Sequence, residues 1–191
     1  MSESKSVNLS KKCEDELNRF LNYLKYFSDK CNTLASVSHL HYENKFGLVD
    51  LFNWCSQDLS KMGDKVIDYL KQRGSQVHPE DLIASKFNIE SEKKVNLHTL
   101  PAYDLVDYLH KEDTHYNDLL NDMIKCAERE NDHDLKQFYE SYKDELSNWN
   151  KKIDGVLDHL RSARMSAKLT DSDLDNLYKN KFKEITQFRE I

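Results

Sequence analysis

The sequence predicts an all-α chain: a four-helix bundle with one long crossover between the second and third helices, and a short fifth helix at the C-terminus. Three observations carry this. Helix breakers are scarce, with 4 Gly and 2 Pro in 191 residues. Apolar residues recur at three- and four-residue steps along four long segments, Cys13–His41, Lys45–Arg73, Leu97–Glu128 and Asp132–Arg164. Those segments form two close pairs, parted by the irregular run Gly74–Asn96, which is long enough to travel a helix length. Segments of roughly 29 residues imply helices about 43 Å long at 1.5 Å per residue, a length at home in bundles and coiled coils.

Residues 1–12 read as a flexible N-terminal segment of a single domain that spans residues 1–191. In the first segment Leu17, Phe20, Leu21, Leu24, Phe27 and Cys31 make one apolar stripe, while Asp15, Arg19, Asn22, Lys25 and Asp29 fall elsewhere. The second carries Leu48, Leu51, Phe52, Cys55, Leu59, Met62, Val66 and Tyr69, and Arg73-Gly74 ends it with a cationic last turn and a permissive residue. The crossover keeps Val77, Leu82, Ile83, Phe87 and Ile89 without a sustained period, which predicts a segment ordered against the bundle. Thr99 suits a cap and Pro101 a first turn, where its missing N–H costs little. Leu105, Tyr108, Leu109, Tyr116, Leu119, Leu120 and Met123 make the third stripe. After a break at Asn131-Asp132, Leu135, Phe138, Tyr142, Leu146, Trp149, Ile153, Val156, Leu157 and Leu160 make the fourth. The bundle thus occupies 13–164. The short helix covers 170–188, capped by Thr170 with Asp173 three residues on.

Composition excludes several classes of function. The net charge of −6 comes from acids and bases mixed along the whole chain, without the basic patch a nucleic-acid partner needs. The opening MSESKSVNLSKKC has neither a secretory apolar core nor transit-peptide bias, and no run approaches a membrane span, so a cytoplasmic address is expected. Cys13, Cys31, Cys55 and Cys126 show no CxxC spacing and read as reduced, buried thiols. Tyr26, Tyr69, Tyr108 and Trp149 fall on apolar stripes and read as core. His39, His41, His78, His98, His110 and His159 are scattered singly and receive no role.

Five stretches point to a family. LNRFLN (Leu17–Asn22), KVIDYLKQRG (Lys65–Gly74), EDTHYNDLL (Glu112–Leu120), DHLR (Asp158–Arg161) and LDNLYKNKF (Leu174–Phe182) resemble, in order and near-correct spacing, stretches of eukaryotic ferritin subunits. The resemblance implies a subunit of a hollow 24-subunit shell that stores ferric iron as mineral, with other ferritin-type subunits and iron ions as its partners.

Members of that family that oxidise iron set carboxylates and a His inside the bundle, because Fe(II) prefers oxygen and imidazole ligands. Set against that pattern, the sequence has Leu24 at the position of the first-helix glutamate. Leu59 and Met62 stand at the second-helix Glu-x-x-His pair, and Leu146 at the fourth-helix glutamine, subject to a one-residue shift near Asn131. Glu112 keeps the third-helix glutamate, and Asp58 is a neighbouring acid. One carboxylate cannot hold two irons, so the resemblance implies no di-iron centre and a light, ferroxidase-silent subunit. A scan for Glu-x-x-His independent of the family finds only Glu112…His115 and Glu130…His133, neither on the first two helices.

Two weaker metal-directed features remain. Asp58 and Asp64 are candidates to gather Fe(III) on a cavity wall, with Lys61 between them on the same face weakening the site. Three-fold pores in the family are lined by an Asp and a Glu three residues apart at the start of the fourth helix. Here the shift leaves Gln137 with Glu140, or Lys136 with Tyr139, so Glu140 is the candidate cation ligand, with Asp132, His133 and Asp134 at the mouth or serving as helix caps. Two functions compete: storage dependent on active partner subunits, and a ferritin-shaped structural or protective protein that no longer stores iron. A redox enzyme would need ligands this chain lacks.

Overall fold

A computed structural model describes residues 8–41, 46–78, 102–166 and 176; the side chains of residues 40, 41, 46, 47, 102, 103, 111–115 and 159–166 lie outside that description. Among the described residues the long helices are α1 (Lys11–His41), α2 (Phe46–Gln72), α3 (Ala102–Arg129) and α4 (His133–Ser166). The expected cap at Thr99 and most of the crossover fall outside the described residues; of the short helix expected at 170–188 only Asn176 is described, and it is helical.

Local chemistry sets the ends. Ser10 begins α1 by accepting the Cys13 N–H on its Oγ at 3.3 Å, so the helix starts two residues before the expected Cys13. At the end of α2, Gly74 takes a φ of +66°, with Gly74 N–H to Lys71 C=O and Ser75 N–H to Leu70 C=O closing a Schellman motif. Asn131, at φ +53°, does the same for α3 through Glu128 and Ala127. The next residue, Asp132, then caps α4 by accepting the Leu135 N–H at 3.0 Å. The break expected at Asn131-Asp132 is therefore a stop and a start on consecutive residues.

Cross-helix contacts give the topology. Ser28 meets Ser56 at 2.9 Å, and nearer the start of α1 Asn18 reaches Gln76 beyond the end of α2, so α1 and α2 are antiparallel. Asn121 with Lys143 and Glu128 with Lys136 make α3 and α4 antiparallel. Cys13 with Cys126 and Lys30 with Tyr108 set α1 against α3, while Trp54 with Trp149 and Tyr69 with Phe138 set α2 against α4, again antiparallel. It follows that α2 and α3 run parallel across the diagonal, which only a long crossover can join.

The apolar stripes face one another as the period requires. Leu17, Phe20, Leu21, Leu24, Leu48, Leu51, Phe52, Val66, Leu109, Tyr116, Leu120, Met123 and Ile153 are buried in one continuous core. Aromatic rings bridge the hairpins: Phe20 packs on Tyr116 and Tyr142 with centroids 5.3 and 5.5 Å away, and Phe27 on Trp149 at 6.1 Å.

Three details depart from the stripe reading. Tyr26 and Tyr108 are half-buried at the rim, where Lys30 lies 4.7 and 5.4 Å from their ring centres and donates to the Tyr108 hydroxyl. A phenol has a wet end, so a stripe-edge Tyr settles where a cation can meet it. Tyr69 is also half-buried rather than core, its hydroxyl accepting from Arg73. Asn22, placed off the stripe by sequence, is buried, as is Asn18. Asn18 earns its place by donating to Glu14 and Gln76 carbonyls and accepting the His78 N–H, tying the chain beyond α2 back to α1.

Candidate functional site

The centre of the bundle is where side chains from all four helices meet. Leu24 on α1, Leu59 and Met62 on α2 and Leu146 on α4 are 0%, 1%, 5% and 1% exposed, so each points inward as its period demands. Around them stand Phe20, Leu21, Tyr116 and Tyr142. The Tyr142 hydroxyl donates to the Met62 backbone carbonyl at 2.5 Å, so that hydroxyl is spent on a main-chain bond. Burial drives the Tyr142 pKa well above its ordinary value, which keeps the hydroxyl a neutral donor. Leucine and methionine side chains offer Fe(II) no hard donor.

Of the four acidic candidates, the three whose side chains are described, Asp58, Asp64 and Glu140, do not converge. Asp58 is buried and lines a cleft of about 400 Å³ between α2 and α4, together with Lys61, Lys65, Glu145, Trp149 and Lys152. Lys65 and Glu145 pair across its mouth at 2.5 Å, and Lys152 lies 5.9 Å over the Trp54 ring. Three lysines against two carboxylates give the charged lining of the cleft a positive balance. Asp64 is exposed and does not line that cleft. Six residues at 100° each place it about 120° round the helix from Asp58, so the shared face read from the sequence is two faces. Glu140 is exposed on the side of α4 toward α3, 3.7 Å from Lys136. The Glu112 and His115 side chains lie outside the described residues. Among the described residues, no three His, Cys, Asp or Glu side chains gather as a metal would need.

Burial also separates the two pore alternatives. Tyr139 is 1% exposed and packs inside the bundle, so Lys136 with Tyr139 cannot both face a channel. Gln137 and Glu140 are both exposed. Glu130 and His133 straddle the turn between α3 and α4, as their position near Asn131 suggested. Of the singly scattered histidines, His78 lies 3.3 Å from Glu14 and His110 3.4 Å from Asp154, each a surface pairing.

One polar constellation escaped the sequence. Arg73, 9% exposed at its side chain, gives Asp132 two hydrogen bonds of 3.2 and 2.5 Å and Tyr69 one of 2.6 Å. It joins the end of α2 to the start of α4 and is structural. Only the α2/α4 register, absent from any local period, could have exposed it.

Compared with known families, residues 14–163 match the pattern of the ferritin-like domain. No curated individual protein matches the chain.

Proposed function

The chain belongs to the ferritin-like family, and from that premise we propose that it is an iron-storage shell subunit of the light type, which relies on other ferritin-type subunits to oxidise Fe(II). The observation that carries this reading is the apolar centre of the bundle. Leu24, Leu59 and Met62, three positions matched to metal ligands by the resemblance, are buried among leucines and aromatic rings.

Iron is then the cargo and arrives already oxidised. Surface carboxylates are the groups left to meet it, and Asp64, exposed and outside the lysine-lined cleft, is better placed than Asp58 for Fe(III), a hard cation that selects oxygen ligands. Gln137 and Glu140 support a pore with one acidic ring in place of two, with the Glu140 charge partly answered by Lys136. In this reading the subunit contributes wall and volume, and its partners contribute chemistry.

Aerobic Fe(II) addition tests the proposal. The chain is assembled alone and with a ferroxidase-active ferritin subunit, and iron retained per shell is measured. Mineral formed rapidly only in the mixed shell is the expected result. Fast oxidation by the chain alone would overturn the silent assignment. No mineral in either shell would favour the structural or protective alternative.

A further inference from the structure

The four cysteines stand in two pairs, and one of them is set at the edge of the bundle. Cys13 lies in the first turn of α1 and Cys126 in the last turn of α3, 113 residues apart in sequence, with their sulfurs 3.6 Å apart. Both are free thiols, 1% and 4% exposed. We propose that this pair is a site of oxidative modification: hydrogen peroxide converts the two thiols into a disulfide that staples the start of α1 to the end of α3.

The geometry asks little of the backbone. A disulfide bond is about 2.05 Å long, so two sulfurs already in contact must close by roughly 1.5 Å, a side-chain adjustment. The first thiol to meet peroxide attacks one of its oxygens as a thiolate, the O–O bond breaks, and a sulfenic acid forms as water leaves. The second sulfur then attacks the sulfenic sulfur, its proton going to the departing oxygen as a second water. Two thiols lose two electrons in all, and one peroxide is reduced to two waters.

Placement makes the pair selective. Helix ends open at far less cost than helix middles, and Cys13 sits three residues after the cap Ser10. Burial pushes the Cys13 thiol up to about 11, which keeps it inert until that turn loosens. Cys31 and Cys55, the other pair, are both 0% exposed along the inner faces of α1 and α2, and burial, with Cys31 alongside, drives Cys55 well above the ordinary thiol range. The Tyr139 hydroxyl feels the edge pair: after burial, Cys13 and Cys126 are the largest causes that raise its pKa. That hydroxyl is buried without a hydrogen-bond partner among the described residues, so a donor stands ready for a sulfenate oxygen.

The full chain, reduced and freed of reductant, is treated with hydrogen peroxide, denatured, alkylated and mapped by peptide mass. Alkylatable thiols should fall from the four of the reduced chain to two. A dithiothreitol-sensitive cross-link should join the peptides of Cys13 and Cys126, and the melting midpoint should rise, then return on reduction. Cys126→Ser should abolish the cross-link and the rise, while Cys31→Ala keeps both. If Cys126→Ser does not fold, the wild-type peptide map decides alone. Four thiols surviving peroxide, sulfinic acid at Cys13 or Cys126 without a cross-link, a bond between Cys31 and Cys55 in its place, or cross-links only between chains would each overturn the proposal.

Discussion

Leu24, Leu59 and Met62 lie within the apolar packing of the bundle, and each can be tested as a change of side chain. Leu24→Glu alone places a carboxylate among leucines and rings without a counter-charge, and we expect a loss of roughly 3–5 kcal/mol in denaturant unfolding, or a carboxyl that stays protonated. Leu24→Glu, Leu59→Glu and Met62→His together should behave differently, because bound metal compensates the new carboxylates. That variant should oxidise Fe(II) in air faster than the parent; a variant that folds yet oxidises at background rate would show that the ligand positions are misassigned. Tyr142→Phe should cost only about 1 kcal/mol in the same unfolding assay, since one hydrogen bond to the Met62 carbonyl is lost. The inward direction of these residues is legible from the apolar period. Which of them meet is not, because the register between helices leaves no local trace. Asp58 and Lys61 are three residues apart and visibly share a face, yet Glu145 and Lys152, which convert that face into a lysine-rich cleft, come from a helix some ninety residues on.

The helix ends carry a different kind of information. Gly74 is readable as a stop because Gly takes φ +66° without the strain a Cβ brings; in the structure an added Cβ would also come within 3.2 Å of the Asn8 Oδ1. Gly74→Ala should therefore lower stability by about 1 kcal/mol, seen as a lower denaturant midpoint at unchanged slope. The cap at Asp132 is partly readable, but its ion pair with Arg73 is not. Burial pushes the Asp132 carboxyl upward, yet the Arg73 guanidinium and the Leu135 N–H outweigh it and hold the carboxyl below its ordinary value. A depressed carboxyl contributes stability above its unfolded pKa of about 4, and loses it as pH falls through the lower folded value. Asp132→Asn should thus be less stable than wild type at neutral pH by about 2–3 kcal/mol, and the gap should shrink in acid. Unfolding curves across that range check this: a gap unchanged in acid would mean the pair contributes nothing.

Across the whole molecule, the two hairpins α1–α2 and α3–α4 are each continuous in sequence, so the chain has an obvious place to come apart. The core argues that it does not. Trp54 from the first hairpin stacks on Trp149 from the second with ring centroids 6.4 Å apart, Phe27 packs edge-on to the same Trp149, and Phe20 touches rings on both α3 and α4. Neither hairpin can bury its stripe without the other, because each stripe is wide enough to need two facing helices. Both tryptophans of the chain lie at this junction, which turns their fluorescence into a probe of hairpin docking, while far-UV circular dichroism follows the helices themselves. Denaturant curves from the two probes should superimpose, as for one cooperative unit. Fluorescence that changes well before helicity is lost would mean that the hairpins separate while still folded, and that the single domain expected from the sequence is two units held together by a dissociable interface.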